Sequence, residues 1–358
     1  MSNQDNSWNK DTIQDKNNSR NKDDSRNKDD TQDKDNSQDN SRNQDRLTTR
    51  RGFLWGASTA FISLGAFSAA GCRSNHTAGS DSAGSDYAAK SNTVADTDPS
   101  SWWHKDGGFI THDTVDTRQL AQGIIHARID GSWREFKVIE LPDRFVDWSL
   151  RVRESRLGRM LRFGGMDPRD LAGSHNACVA TYGGPRRDSA VSLNTAYKGM
   201  GFAVHAGQIA ETTRKINEER LRIERDSRND PGKELRAKVK FLADFYSDAS
   251  IFDRTKQVSL ELFASPDFQT HTFLNMMANP IASASFLAFP TFEIRAVPQL
   301  LHPKNPGLSR QEKDMIAYTN AVHDFIHNGL GNRMVCVYHV VELYDDTPND
   351  MCRGKRIA

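Results

Sequence analysis

Two histidines, His323 and His327, lie four residues apart in the segment "HDFIH". On an α-helix this spacing puts both imidazoles on one face, where they can bind one metal ion or flank a haem iron. No glutamate follows the first histidine, so the zinc metalloprotease signature is absent. The alternative is an edge position beside a hydrophobic core, next to Phe325 and Ile326. We therefore assign no metal site and keep the pair as a candidate for a metal or haem.

The other reactive residue types form no recognised catalytic pattern. Cys178, Cys336 and Cys352 show neither a CxxC pair nor zinc-finger spacing. No Gly-x-Ser-x-Gly elbow occurs in the chain. The 48 Lys and Arg residues nearly balance the 47 Asp and Glu residues, for a net charge of +1. This balance gives no support to nucleic acid as a partner.

The N-terminal third of the chain divides by composition into three segments. Residues 1–46 are almost wholly Asn, Asp, Lys, Arg, Ser and Gln, which predicts a disordered polar leader. Residues 47–72 contain a long run without charges. Residues 73–101, rich in Ser, Gly, Ala and Asp, predict a flexible tether. Globular composition begins at about residue 102, which leaves roughly 255 residues for a folded part.

The segment "TTRRGFLWGASTAFISLGAFSAAGC" has the order of a bacterial export signal: charged, apolar, then small residues. Arg50 and Arg51, followed by Gly-Phe-Leu, resemble the twin-arginine signature. A membrane-spanning helix is the rival interpretation, but the run is only mildly hydrophobic. The end, "AAGC", resembles a lipobox in which Cys72 is acylated; the alternative is ordinary cleavage that leaves Cys72 free. These resemblances imply export by the twin-arginine translocase and an extracytoplasmic protein, lipid-anchored to the cell membrane.

The folded part is predicted to be mainly β with helices, in the α+β class. Residues 102–164 are predicted to form an N-terminal extension with a hairpin around Asp130 and Gly131. Further strands are predicted from alternating apolar residues and flanking turns at 177–182, 189–197, 199–207, 257–264, 281–288, 291–302 and 333–344. Residues 349–358 are a C-terminal tail.

Three helical regions interrupt the strands. The charged region 208–247 has helical periodicity, a break at Asp230-Pro231-Gly232, and charges that predict a solvated face. A short helix is predicted within 267–280. A longer one is predicted from Ser309 to Asn328, because Ser309 and Glu312 have capping-box spacing.

The order of these elements resembles the pyridoxamine 5′-phosphate oxidase-like family. The shared features are a strand, a Gly-rich turn, a strand, a short helix closed by Asn279-Pro280, then strands "IASASFLA" and "FEIRAV". The resemblance covers residues 165–348. It implies an FMN-binding split β-barrel with a charged helical insertion at about 208–250. It also implies a homodimer with flavin at the subunit interface.

The resemblance further implies cofactor-binding residues. Thr270, His271 and Thr272 match the family positions that begin the phosphate-binding helix, where the helix dipole and free amides favour an anion. The family has Ser, Arg and Lys there, so both permanent cations are lost. Ser192 and Thr195 match the contacts from the second strand. The alternative is that Thr270 and Thr272 only cap a helix.

A competing register places the phosphate site earlier in the chain. The segment "KGMGFAVHAGQIAETTRKI" can be aligned with the same family region, which gives the phosphate role to His205, Gly207 and Gln208. The later register has the support of Asn-Pro and two strands after it. Against it stands the length of the insertion at 208–250.

The function that the resemblance implies is an exported FMN-dependent oxidoreductase acting on a small-molecule substrate. The isoalloxazine ring carries the electrons, so no sharp acid–base motif is required, and the catalytic residues stay unassigned. The alternative is a non-catalytic lipoprotein that keeps the barrel and binds haem or another ligand.

Overall fold

The computed structural model describes residues 99–106, 108–164, 168–184, 189–327, 329, 331–348 and 354–358. The polar leader, the export signal with Arg50 and Arg51, and Cys72 lie outside these ranges, as does nearly all of the tether. Within them, no helix combines the length and the hydropathy that crossing a bilayer requires.

The described residues form a mixed α+β fold, as the sequence predicts. The α-helices are α1 (Asp143–Phe163), α2 (Ile209–Asp226), α3 (Pro231–Tyr246), α4 (His271–Ala278) and α5 (Arg310–His327). The predicted capping box of α5 is present. The backbone N–H of Ser309 donates to Glu312 Oε2 at 2.8 Å, and the backbone N–H of Glu312 donates to Ser309 Oγ at 3.3 Å.

The strands are short at the N-terminal side and longer later in the chain. They are β1 (Trp103–His104), β2 (Phe109–Ile110), β3 (Val115–Asp116), β4 (Ile124–Ile129), β5 (Ser132–Lys137), β6 (Asn176–Tyr182), β7 (Leu193–Gly199), β8 (Gly201–Val204), β9 (Phe252–Glu261), β10 (Ala282–Ser285), β11 (Phe292–Leu301), β12 (Met334–Asp345) and β13 (Lys355–Arg356).

The main sheet is antiparallel and curls into a half-barrel. Its strand order is β7-β6-β10-β11-β12-β9-β8, with β13 paired to β12. The first and last strands of this path are consecutive in the chain, since only Met200 separates β7 from β8. One bent segment therefore pairs with β6 through its first half and with β9 through its second half.

The predicted hairpin is confirmed. β4 and β5 pair along their whole lengths, and Asp130 and Gly131 between them have φ angles of 51° and 77°. Two successive residues with positive φ are typical of a type I′ turn, which matches the twist of paired strands. With β3 these strands form a small sheet whose apolar side packs against Val297 and Val341 of the main sheet.

Two strands begin at residues other than those predicted. β7 starts at Leu193, which pairs with Tyr182, so the residues before it belong to the connection from β6. β9 starts at Phe252, before the predicted residue 257, because β8 supplies backbone partners to its polar first half. Pairing partners distant in sequence set both starts, and strand propensity does not report them.

Helix α4 packs against the main sheet. Phe273, Met276 and Met277 are fully buried and belong to the main hydrophobic core, together with residues of β6, β11 and β12. The Sγ atom of Cys336 on β12 lies 3.9 Å from Met276 Sδ. The sheet therefore fixes the position of this short helix.

The sequence did not predict α1, which falls inside the expected N-terminal extension. Its Phe145 and Trp148 stack edge-on or tilted against Phe286 and Phe292, with ring centroids 5.0–5.7 Å apart. The helix ends at Gly164, whose φ of 68° is the left-handed cap that glycine adopts without strain. This segment thus shares the core of the half-barrel.

The charged insertion between β8 and β9 forms α2 and α3, as predicted. Arg214 makes ion pairs of 2.6 Å with Glu211 and Glu218 on the exposed face of α2. The break falls at Asp230, whose side chain accepts a hydrogen bond from the backbone N–H of Lys233 at 2.9 Å. The Arg214 pairs therefore lie on a solvated helix surface, as predicted, whereas Lys238 of α3 is buried and its Nζ lies 2.8 Å from Glu234 Oε1.

Candidate functional site

The start of α4 contains three of the residues matched to an FMN phosphate site. Thr270 precedes the helix, and its hydroxyl oxygen accepts a hydrogen bond from the backbone N–H of Phe273 at 3.1 Å. This is the ordinary N-cap arrangement, which satisfies one free amide of the first turn. His271 is the first helical residue and is half-buried. The capping role given as an alternative for Thr270 is therefore observed.

Thr272 and Thr195 are not brought together. Thr272 is 1 % exposed, and its hydroxyl oxygen accepts a hydrogen bond from Asn194 Nδ2 at 2.7 Å. Thr195 follows Asn194 on β7 and lies on the opposite, exposed face, because successive strand residues alternate. Asn194, which the sequence did not single out, is the residue of β7 that reaches α4.

A buried ion pair lies beside the N-cap of α4. Lys198 Nζ on β7 and Glu261 Oε2 on β9 are 2.7 Å apart, and the two side chains are 12 % and 2 % exposed. Thr270 Oγ1 lies 3.5 Å from the other oxygen, Glu261 Oε1. A phosphate at this helix start would meet the Glu261 carboxylate, which Lys198 already neutralises. The described residues do not fit an FMN phosphate here.

Ser192 approaches α4 through its backbone. Its carbonyl accepts hydrogen bonds from Gly183 N at 2.9 Å and from Asn275 Nδ2 at 3.4 Å. The same amide of Asn275 donates to Thr181 Oγ1 on β6 at 3.2 Å. These bonds attach α4 to β6 and to the connection that precedes β7, so they explain the position of Ser192 without a ligand.

The competing register places His205 and Gln208 before α2. The Gln208 side chain makes no capping hydrogen bond. His205 borders a surface cleft of about 480 Å³, where the basic side chains Arg254 and Lys256 each already pair with an aspartate. This register offers the phosphate no better cradle than the start of α4.

A second polar cluster lies where α1 and α5 meet the start of β6. We call it the Arg–His cluster, and its members are Arg153, Arg156, His175, His323, His327 and Arg333. The two arginines of α1 and the two histidines of α5 come from helices. The side chains of His323 and Arg333 are 26 % and 27 % exposed, so the cluster reaches the solvent.

Arg153 lies at the buried end of this cluster, with 4 % of its surface exposed. Its Nη2 donates to the carbonyls of Ser174 at 3.0 Å and Met200 at 2.8 Å. Its Nη1 lies 3.3 Å from His175 Nδ1, which accepts when the imidazole carries its proton on Nε2. Met200 is the residue between β7 and β8, so the guanidinium is attached to the bend of the half-barrel.

Aromatic rings flank the Arg153 guanidinium. The rings of Phe202 and Tyr246 lie 5.5 and 5.6 Å from its central carbon. Within the described ranges no carboxylate forms an ion pair with Arg153, and its Nε has no hydrogen-bond partner. Burial lowers the pKa of Arg153, but a guanidinium stays protonated in proteins. A buried positive charge without an anion is costly, so an anion bound nearby would be stabilised.

The histidines of the cluster are neutral at pH 7. Burial lowers the pKa of His327 to about 4, and the nearby His323, Arg156 and Arg333 contribute further. Burial, followed by the positive charges of α1, holds the pKa of His175 well below its usual value. The rings of His323 and His327 are 4.7 Å apart. The local field is thus positive even while the imidazoles carry no charge.

Two carboxylates of the described residues lie at the edge of the cluster, and both are paired. Asp324 Oδ1 lies 2.8 Å from Arg333 Nη1 and 3.1 Å from His323 Nδ1. Asp170 Oδ1 lies 2.5 Å from Arg159 Nη2. Burial lowers the pKa of Arg156 to about 10, with Asp170 acting in the opposite direction. These acids offset Arg333 and Arg159, and the charge of Arg153 remains for a ligand.

The geometry does not favour a metal in this cluster. Among the residues that the structure describes, no three His, Cys, Asp or Glu side chains are placed to hold a metal ion. His323 and His327 lie on one side of α5, as their spacing predicts, so they cannot bind a haem iron from opposite faces. The cluster is suited to a small anion, for which guanidinium N–H groups and imidazole N–H groups are donors.

The chain has no match among known protein families, curated proteins or solved structures.

The sequence pointed to the two histidines at the solvent-exposed side of the cluster and did not point to the residues at its buried end. The i, i+4 spacing of His323 and His327 can be recognised in the sequence, whereas no recognisable spacing connects His175 with Arg153. The available signal was helical periodicity in α1, which would have placed Arg153 on the same face as the buried Ser149 and Leu157. A buried arginine contradicts the usual expectation that arginine is solvated.

Proposed function

We propose that the folded part binds a small anionic molecule in the Arg–His cluster. The observation that supports this is the buried guanidinium of Arg153, which has no carboxylate partner in the described chain and lies beside neutral imidazoles. Charge-assisted hydrogen bonds from such groups are stronger than neutral ones. The function is ligand binding by an exported lipoprotein, in line with the non-catalytic alternative from the sequence.

The flavin function is a second candidate. The observation that favours it is the continuity of β7 and β8 through Met200, because a curled sheet that returns on itself is expected of a split barrel. The residues matched to the phosphate site do not fit, so we derive no flavin chemistry from Thr270, His271 or Thr272. The homodimer, the small-molecule substrate and the oxidoreductase activity depend on this candidate alone.

Export and anchoring complete the proposal. The twin arginines and Cys72 support a route in which the chain folds first, crosses the membrane through the twin-arginine translocase and stays lipid-anchored outside the cytoplasm. In this arrangement the Arg–His cluster would meet small molecules outside the cytoplasm.

Isothermal titration of the purified full chain with sulfate, phosphate and citrate tests the proposed function. We expect at least one of these anions to bind with a Kd of about 1 mM or tighter. Arg156→Gln should weaken that affinity about tenfold, since one charge-assisted contact contributes about 1.4 kcal/mol or more. Arg310→Gln, a charge removal at the exposed start of α5, is the matched control and should bind as the wild type does.

Two outcomes would overturn anion binding at this cluster. One is the absence of heat from all three anions with the wild-type chain. The other is equal weakening by both substitutions, which would indicate a non-specific charge effect. The visible spectrum of the same preparation separates the cofactor alternatives, since flavin bands support the second candidate and a Soret band supports haem.

A further inference from the structure

We infer that anion binding in the Arg–His cluster is coupled to the uptake of one proton by the His323–His327 pair. The inference rests on the proposed function and adds a means of regulating it. The two rings lie 4.7 Å apart at the solvent-exposed side of the cluster. Arg156 of α1 acts on His327, and Arg333 Nη1 lies 3.5 Å from His323 Nδ1. An anion bound by these two guanidinium groups would therefore lie near both imidazoles.

Among the described residues, the groups that act on the pair are Arg156 on α1, His175 before β6, Asp324 within α5 and Arg333 before β12. With His175 neutral, the two arginines and the one aspartate leave a net positive charge around the rings. Without an anion these charges oppose protonation of either ring. A bound anion has the opposite sign, so it lowers the cost of an imidazolium there.

Only one of the two rings takes the proton. Two imidazolium charges at a separation of 4.7 Å would repel each other in a half-buried site, so the pair behaves as a coupled unit. The proton belongs on His323, because its Nδ1 lies 3.1 Å from Asp324 Oδ1. That carboxylate accepts the Nδ1–H bond and leaves Nε2–H of the imidazolium for the anion.

The sign of the pH dependence follows from the two states. Without ligand, burial and the neighbouring arginine lower the pKa of His323, whereas the bound anion raises it. Between these two pKa values the complex binds one more proton than the free protein does. The affinity for the anion therefore rises as the pH falls through this window, by about tenfold per pH unit for one proton.

Sulfate is the suitable probe, because its own charge does not change between pH 5 and 8, unlike that of phosphate. Isothermal titration at pH 5.5 and 7.5, each in two buffers of different ionisation enthalpy, measures both affinity and proton uptake. We expect tighter binding at pH 5.5 and an uptake approaching one proton per sulfate. His323→Gln should bind sulfate more weakly than the wild-type chain at pH 5.5, and its affinity should depend little on pH. His126→Gln, a histidine substitution in the β4–β5 hairpin, should keep the wild-type dependence.

Each outcome separates this inference from the proposed function. Sulfate binding with the same affinity at both pH values and without proton uptake would overturn the coupling and leave the anion site intact. A pH dependence that persists in His323→Gln would overturn the assignment of the proton to this ring. The absence of sulfate binding at either pH would overturn both the coupling and sulfate as a ligand of the cluster.

Discussion

Replacing Lys198 with methionine tests the buried ion pair that connects β7 to β9 across the curled sheet. The substitution leaves the Glu261 carboxylate buried, with 2 % of its side chain exposed, and its remaining hydrogen bond within the described part of the chain is the long 3.5 Å contact to Thr270 Oγ1. Removal of one partner from such a pair typically costs about 3–5 kcal/mol. For a folded part of this size we expect Tm to fall by about 6–20 °C, from about 2–4 °C per kcal/mol.

Urea unfolding followed by circular dichroism measures the free energy of unfolding. The double variant Lys198→Met/Glu261→Gln should recover most of the loss, since it removes both charges. Lys240→Met breaks the exposed pair with Asp244 at 2.9 Å and should change stability by less than about 0.5 kcal/mol. If Lys198→Met matched this control, or if the double variant were no more stable than the single one, the pair would not be buried as described.

Two further predictions test the attachment of α4. A Cβ added at Gly183 would lie 2.3 Å from Asn275 Oδ1, so Gly183→Ala should destabilise the fold by about 1–3 kcal/mol in urea unfolding. Gly184→Ala, where no atom of the described residues lies within 4 Å of an added Cβ, should change it by less than about 0.5 kcal/mol; equal effects would contradict the close approach. Burial raises the pKa of Cys336 to about 12, so iodoacetamide at pH 8 should leave this thiol unlabelled until urea is added. Labelling in the native protein, detected by peptide mass spectrometry, would place Cys336 outside the core.

Local signals predicted most of the fold because they act over a few residues. Positive φ at Asp130 and Gly131, the cap at Ser309 and the break at Asp230 each follow from side chains within four positions. The helix α1 was missed because its many arginines interrupt the helical periodicity of apolar residues. At Arg153 a charged residue even occupies the buried face of the helix. The rule that arginine is exposed fails where carbonyls and aromatic rings enclose the guanidinium.

The site was less predictable, since tertiary contacts assemble it. Arg153 and His175 are 22 residues apart, and His323 joins them from the other end of the folded part. At the start of α4 the match with a phosphate-binding helix depended on residue types alone. It could not show that Thr272 points inward or that Glu261 lies next to Thr270.

The imidazole resonances of the full chain, followed by two-dimensional NMR during titration with sulfate at pH 6, test the anion site most directly. The histidines of the Arg–His cluster should shift together and saturate along one binding curve. His104 and His126, on β1 and β4, should stay in place. Two results would show that the protein does not bind its anion in the Arg–His cluster. In one, the resonances of the cluster histidines keep their chemical shifts while other resonances shift and saturate with sulfate. In the other, the resonances of all histidines shift by the same amount.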